Sequence, residues 1–440
     1  MRRIFISSLG TGDYKPCVYK WRGPTPKPGT VASATRYVQR AIVELFGEPA
    51  FDKCILLVTP ESRERHADAL TEELRQVVPF DRIALREISS AVEDVSQQWR
   101  WFEALLREVK CGDRLVIDMT HGFRAVPIVL SAALGYLQRT KGVVLEHVLY
   151  GAHDKDGVIV DMRDFYVVQE WADAVGRLVD NADATKLAAL AANAPKDSTF
   201  ARLSDPKLAD ALKQLTANLR NVDVHQFASA TQRALEVVGA QASAPGVTDA
   251  ERQLLEMVRE KFVALVTEPP SGDRYDLAYL EVQLVAAEKL VEHGLHMQAF
   301  TVLSELIGSI GMLGLIGTKR DFKMTTSDGR DERGHADIFK RMIANDRAKW
   351  NFKDCEKSKV ERLQPWFDAL APVLPRLKEL SDSISKVRNG FNHGWTSKRI
   401  ETIVPGKDSD EALRAEGKRI VAELREEILR RLPENPHGST

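Results

Sequence analysis

Cysteine is scarce in this chain: four in 440 residues, at Cys17, Cys54, Cys111 and Cys355. No two of them form a CxxC pair or fall at zinc-ligand spacing, so neither a disulfide framework nor a structural zinc site is expected. No apolar run approaches the roughly 20 residues that a bilayer-spanning helix needs. The amino terminus starts directly as a strand, Arg3 to Ser8, without the apolar stretch of a signal peptide. The expected setting is therefore a reducing cytoplasm, with no membrane partner. An excess of charge of either sign is missing too, since 62 Lys and Arg against 63 Asp and Glu leave a formal net charge of −1. A protein that coats nucleic acid by charge alone needs a strongly basic surface, so that mode is excluded, while a local basic groove is not. Sequence repeats and extended low-complexity tracts are also lacking.

What is present describes a globular protein. Its length exceeds one hydrophobic core, so two or three domains are expected. Hydrophobic residues make up 44% and charged residues 28%, an ordinary balance for filling and solvating such cores. Over residues 1–168, strand-like and helix-like stretches alternate. Strands are predicted at Ile4–Ser8, Lys53–Val58, Arg82–Ile88, Leu115–Asp118 and Val143–Tyr150, with Val158–Asp161 as a hairpin partner of the last. Helices are predicted at Ala34–Phe46, Ala67–Val77, Trp99–Val109 and Ala125–Leu137. This alternation indicates α/β architecture: a Rossmann-like, mostly parallel sheet covered on both faces. Ligands of such sheets gather at the carboxyl ends of the strands, near the switch in strand order. The segments after Ile4–Ser8 and Leu115–Asp118 should therefore face a ligand.

From about Trp171 strand signals nearly vanish and helical periodicity takes over. Helices are predicted at Leu203–Val222 and Val224–Val238, with another starting at Thr248-Asp249. Pro269, Pro270, Ser271 and Gly272 mark Thr267–Asp276 as a linker. Beyond it, Leu277–Gly294 and Met297–Ile310 read as an antiparallel pair, Lys319–Gly334 as a polar loop, and Ile338–Trp350, Val373–Gly394 and Ser409–Arg431 as further helices. The expectation is α/β plus all-α: a sheet domain over 1–168, a helical middle domain over 169–268 and a helical carboxyl-terminal domain over 269–440.

Two corners carry the first chemical signal. Ser8, Leu9, Gly10, Thr11 and Gly12 follow the first strand, and backbone N–H groups in a turn of this kind make an anion-binding nest. A Gly-x-Gly alone is a weak signal, because most short glycine-containing turns after a strand are only turns. Lys15 stands where a dinucleotide fingerprint has its third glycine. The segment VIDMTHGFRAVP, Val116 to Pro127, sharpens the signal. Its Thr120 and Gly122 offer a hydroxyl and amides at a helix start, where the dipole favours an anion, and Arg124 can hold a phosphate bidentately. Asp118 is expected to cap this turn by accepting backbone N–H bonds, and His121 reads first as a hydrogen-bonded structural histidine. No metal site is expected, since no further ligands stand at short spacing. Within residues 1–47, eight basic residues (Arg2, Arg3, Lys15, Lys20, Arg22, Lys27, Arg36 and Arg40) face only Asp13 and Glu44. A phosphate-bearing ligand suits this flank.

The second signal is SKVRNGFNHGW, Ser385 to Trp395. Arg388, Asn389 and His393 are the residue types of metal-free RNA cleavage: an imidazole that moves protons near neutral pH, a guanidinium that offsets developing charge, and an amide that orients either. On an ideal helix Asn389 and His393 stack one turn apart, whereas Arg388 lies about 140° from His393. One copy therefore does not aim both at one point; Gly390 can loosen the helix, or a second subunit can supply the partner. The plainer reading is that Arg and His near a helix carboxyl end are solvated and favoured by its dipole.

Together these segments resemble a known family. FISSLGTGDY at the amino end, DMTHGFR after a later strand and RNGFNH near the carboxyl end are similar to the CRISPR-associated ribonucleases of type III systems that join a CARF domain to a HEPN domain. The likeness spans essentially the whole chain, although residues 170–265 match only in being helical. It implies a homodimer or higher homo-oligomer whose CARF domains bind a cyclic oligoadenylate. That activator is expected as the four-adenylate ring, although the motifs do not choose between four and six. It implies that Ser8, Leu9, Gly10, Thr11 and Gly12 line one wall of the pocket, and Thr120, His121, Gly122 and Arg124 the other. Two HEPN domains would pair Arg388, Asn389 and His393 into a composite endoribonuclease site for single-stranded RNA. No cofactor or metal is implied. DNA binding is not expected, since no helix carries base-reading Arg and Asn residues. The rival reading is a non-enzymatic cyclic-nucleotide sensor with a structural carboxyl-terminal domain. A dinucleotide-dependent enzyme is disfavoured by the missing third glycine.

Overall fold

The computed structural model describes residues 1–22, 30–47, 50–90, 94–122, 125–153, 156–194, 199–266, 275–315, 333–396, 399–406 and 409–433. Two compact units make up the chain, Met1–Glu170 and Trp171–Thr440.

The described residues of the first unit form seven strands, of which three neighbouring ones are largely apolar, as a sheet buried on both faces requires. The strands are β1 Arg3–Ser8, β2 Lys20–Trp21, β3 Lys53–Val58, β4 Ile83–Glu87, β5 Arg114–Asp118, β6 Val144–Ala152 and β7 Val158–Asp161. The sheet runs β2-β7-β6-β5-β1-β3-β4, with every pair parallel except β6–β7. Side chains alternate between its faces with the two-residue period of a strand. Phe5, Leu56, Val58 and Val116 join one core with Val38 and Ile42 of α1 (Val38–Phe46) and Leu70 and Leu74 of α3 (Asp68–Arg75), the latter preceded by the single turn α2 (Pro60–Ser62). Ile4, Ile6, Ile55, Leu57, Leu115 and Ile117 join a second core with Trp101 and Leu105 of α4 (Val95–Glu108) and Leu130, Leu134 and Leu137 of α5 (Ala125–Lys141). At the amino ends of the strands, ion pairs support the register: Arg2 to Asp113 at 2.6 Å, Arg3 to Glu146 at 2.5 Å and Lys53 to Glu108, which also pairs with Arg86 from farther along β4. From β1 the chain moves to β3 and β4 on one side, then returns to β5 on the other. The strand order therefore reverses between β1 and β5, and the crevice expected of such a switch lies at their carboxyl ends.

The second unit is helical. Helix α6 (Arg163–Asn181) begins in the first unit and belongs to the second from Trp171. It is followed by α7 Thr185–Asn193, α8 Pro206–Arg220, α9 Val224–Ala242, α10 Asp249–Val263, α11 Leu277–Glu292, α12 His296–Leu313, α13 Gly334–Ala344, α14 Asp354–Ala369, α15 Leu374–Asn392 and α16 Ser409–Glu423. Helix α12 is buried almost all round, including the unbroken run Leu306–Leu313 without exception, so it is the element on which the others pack. Its glycines allow that packing. A Cβ at Gly311 would sit 2.3 Å from Phe339 of α13, and one at Gly314 would sit 2.0 Å from Trp366 of α14. The Trp366 indole also donates to the Ile310 carbonyl at 2.8 Å. Among the described residues no helix is long and apolar enough to cross a membrane.

Two differences from the sequence expectations have physical causes. The helix expected from Ala34 begins at Val38, because Thr35 exchanges backbone hydrogen bonds of 2.9 and 3.0 Å with Cys17. Helix α14 is not expected from the sequence: Pro365 lies inside it and its apolar spacing is poor. Burial of Leu363 and Trp366, together with the Trp366–Ile310 bond, overrides that local preference. Residues 267–274 of the expected linker and 319–332 of the expected polar loop lie outside the described residues. Gly311→Ala should push Phe339 out of place and cost about 1–3 kcal/mol, as overpacked cores do. A lower urea midpoint at unchanged slope checks this.

Candidate functional sites

At the carboxyl ends of β1 and β5 the polar groups are organised by one carboxylate. Asp118 is fully buried. Its Oδ2 accepts from Ser7 Oγ at 2.7 Å and its Oδ1 accepts from the Thr120 backbone N–H at 2.9 Å and from the Thr120 hydroxyl. This is the turn cap expected for Asp118. Thr120 Oγ1 in turn accepts from Gly151 N at 2.8 Å, which extends the network to β6. Ser8 is buried and its hydroxyl donates to the His121 carbonyl, while its own carbonyl accepts from buried Gln39 at 3.0 Å. Leu9 is buried, and its N–H donates to the Leu57 carbonyl at 2.9 Å. Ser8 and Leu9 thus hold the turn from within rather than standing on its surface.

The two corners do meet. A Cβ at Gly10 would lie 3.8 Å from both Gly122 N and His121 Cβ. Gly10, Thr11, Gly12, His121 and Gly122 form the half-exposed to exposed rim, with Gly122 at φ 122° as only glycine accepts readily. Arg124 lies outside the described residues. Within the basic flank, Arg2 and Arg3 sit at the opposite end of β1 and are ion-paired, and Arg40 pairs with Glu44. The cations near the crevice are fewer than the sequence promises. Arg65, from the turn before α3, adds one by donating to the Thr11 carbonyl at 3.1 Å.

Beneath the rim lies an aromatic cluster that sequence reading misses. The Tyr14 ring centroid is 4.8 Å from that of His121, 4.7 Å from His66 and 5.3 Å from Tyr37. The Tyr14 hydroxyl accepts from Gly10 N at 2.8 Å, and burial raises its pKa well above that of a free phenol. The Tyr37 hydroxyl meets His66 Nδ1 at 3.4 Å. Nε2 of both His66 and His121 is buried and has no partner among the described residues. For His121, expected as a hydrogen-bonded structural histidine, no partner of Nε2 stands among the described residues. Tyr14 stands within the glycine-containing motif and so was within reach of the sequence; His66 carries no motif of its own. Among the described residues no three His, Cys, Asp or Glu side chains gather as metal ligands would.

In the second unit the Arg388–His393 segment is the carboxyl end of α15. Helix geometry continues through Gly390 to Asn392, and His393 is its C-cap. Gly394 follows at φ 55°; its N–H donates to the Phe391 carbonyl at 3.1 Å, and Trp395 N–H donates to the Gly390 carbonyl at 2.8 Å. These two bonds make a Schellman motif. Gly390 does not loosen the helix. It leaves room for Trp395, since a Cβ there would lie 2.3 Å from the indole. Trp395 itself has φ 55° and packs edge-on to Phe391 at 5.3 Å. A bulky residue in that region costs about 1–3 kcal/mol of backbone strain. Asn389 and His393 are exposed, whereas Arg388 is half-buried. Its Nε is buried without a partner, and no carboxylate pairs with the guanidinium among the described residues. One copy brings Arg388, Asn389 and His393 to the same helix end but does not join Arg388 to His393.

No family model matches the chain. A CRISPR-associated protein of Methanocaldococcus jannaschii is 27% identical over 84 residues, which are 18% of this chain and 13% of that protein. The chain thus matches well under two thirds of that relative's length. Among solved structures, Enterococcus italicus Csm6 bound to cyclic hexa-2'-fluoro-hexa-dAMP matches with a TM-score of 0.37 and 11% identity, over 99% of this chain and 96% of that one.

Burial holds His121 below the ordinary imidazole value of 6.5, with Asp118 opposing and His153 reinforcing that shift. The unfolded chain therefore takes up this proton at a higher pH than the folded chain. Stability from the neutral ring is complete above 6.5 and is lost as pH falls through the lower folded value. His293, in the second unit, is lowered by burial in the same sense. Urea midpoints measured from about pH 7.5 to about pH 5 should fall for the wild type, and His121→Gln should flatten the slope without abolishing it.

Proposed function

We propose that this chain is a cyclic-oligoadenylate-responsive CARF–HEPN endoribonuclease of type III CRISPR defence, working as a homodimer. The observation that carries the reading is Arg388. A half-buried guanidinium with an orphan donor and no acid partner is costly unless an anion completes it. It lies at the same helix end as His393, whose side chain is exposed. A phosphodiester supplies that anion. The three sequence motifs and the partial similarity to a CRISPR-associated protein support the same assignment.

In this reading two copies of α15 oppose their ends, so that Arg388 of one and His393 of the other reach one scissile phosphate. The substrate's own 2′-oxygen attacks phosphorus, the bond to the 5′-oxygen breaks, and no metal takes part. One imidazole accepts the 2′-hydroxyl proton and the other delivers a proton to the leaving 5′-oxygen, leaving a 2′,3′-cyclic phosphate and a 5′-hydroxyl. Arg388 offsets charge on the non-bridging oxygens, and Asn389 orients the RNA or the imidazole. In the first unit, the rim formed by Gly10, Thr11, Gly12, His121 and Gly122 receives the cyclic oligoadenylate, supported from below by Ser8, Leu9 and Thr120. Arg124 is assigned to the same pocket. Activation then requires the ligand to bind the active arrangement better than the resting one; a hundredfold stimulation corresponds to about 2.7 kcal/mol of coupling.

Purified protein, a fluorescent single-stranded RNA and EDTA should give cutting that rises with a cyclic tetra-adenylate. His393→Ala should lower the rate by about 10²- to 10⁴-fold, the usual worth of a general acid–base group, and Arg388→Ala by a similar factor. Binding of the activator should be unchanged in both. Ligand binding without any cutting would favour a non-enzymatic sensor.

A further inference from the structure

Beside the end of α15 an open cleft of about 830 Å³ is lined by Trp395, Arg399, Ile400, Glu401, Thr402 and Ser409. The mechanism above uses none of these residues. Trp395 is nevertheless the most constrained side chain of the segment. It holds φ 55°, it sits where Gly390 has no side chain, and Phe391 supports it edge-on at 5.3 Å. It stands two positions from His393, the residue assigned to proton transfer. A bulky ring held in an unfavourable backbone conformation at the lip of an open cleft points to a function for the ring rather than for the cap, because glycine or asparagine would end the helix more easily.

We infer that Trp395 is a stacking platform for one nucleobase of the single-stranded RNA, placed beside the scissile phosphate, with exposed Arg399 at the cleft to meet the adjoining phosphate. Single strands are commonly held in this way, since every base has a π-face and an unpaired base is free to leave its neighbours. The inference rests on the nuclease reading for its substrate and adds the base-binding subsite. Stacking on an indole tolerates any base, so the subsite fixes which nucleotide lies across the histidines without demanding a sequence. It contributes to binding before the chemical step, and its loss should appear in KM rather than in kcat.

The test pairs a protein change with an RNA change. Trp395→Asn removes the ring and suits the positive φ; Trp395→Phe keeps a smaller ring. Binding is measured by anisotropy on the full chain carrying His393→Ala, so that no RNA is cut, with single-stranded oligonucleotides bearing one abasic site at each position in turn. Trp395→Asn should weaken binding of intact RNA about 5- to 100-fold, with Trp395→Phe between it and the parent. At one position the abasic RNA should weaken binding to the parent by a similar factor and weaken binding to the Trp395→Asn protein no further. In otherwise wild-type protein the same change should raise KM and leave kcat within about threefold. Penalties that multiply at every position would overturn the proposal, as would loss of kcat at constant KM or no RNA binding at all. RNA that is bound with the expected non-additivity but never cut would overturn the nuclease reading and leave the stacking site standing.

Discussion

The polar groups at the carboxyl ends of β1 and β5 hang on Asp118. A fully buried carboxylate is costly unless its oxygens are occupied, and here three donors occupy them: the Ser7 hydroxyl from β1, and the N–H and hydroxyl of Thr120 from the turn after β5. Thr120 passes the connection to Gly151 of β6. Three neighbouring strands are thereby tied at the point where their order reverses, so the backbone of the two corners is set before any ligand arrives. The ion pairs at the other end of the same strands support their register. Between these two polar ends the strands need only be apolar, and β1, β3 and β5 largely are.

The helical unit solves a different problem. Its central helix α12 is buried over most of its surface, and glycines let two neighbouring helices approach it closely. That rigid centre permits an exposed feature elsewhere, the terminus of α15, to be finely shaped. The Schellman turn there is specified by residues within the same short segment, Gly390, Gly394 and Trp395. The consequence is that Arg388, Asn389 and His393 stand on a helix end whose backbone is fixed by hydrogen bonds, while Nε of Arg388 has no partner among the described residues.

Much of the architecture is legible in the sequence because it rests on local patterns. The parallel sheet follows from apolar runs spaced by helical stretches, and the switch-point crevice from glycine-containing segments after two of those runs. Asp118 as a cap is equally local. Tertiary partners decide what stays hidden. Nothing near Pro365 announces a helix, since α14 depends on Trp366 reaching a carbonyl 56 residues earlier. The basic flank misleads because Arg2 and Arg3 look close to the glycines in sequence but lie at the opposite end of a strand. His66 escapes notice because its neighbours, Tyr14, Tyr37 and His121 around them, converge only once the sheet is formed. The geometric difficulty between Arg388 and His393 is correctly read from helical spacing, and the folded chain retains it.

One bond at the rim bears on selectivity. Gly10 N–H already donates to the Tyr14 hydroxyl at 2.8 Å. A newcomer must therefore trade places with a phenol oxygen instead of filling an idle donor. A neutral oxygen gains nothing from that trade, because it replaces like with like. A charged phosphate oxygen gains the difference between a charge-assisted bond and an ordinary one, roughly a twofold stronger interaction. In the pocket proposed above the tyrosine would act as a sieve: uncharged nucleosides and sugars would break even at this amide, and polyanions would come out ahead.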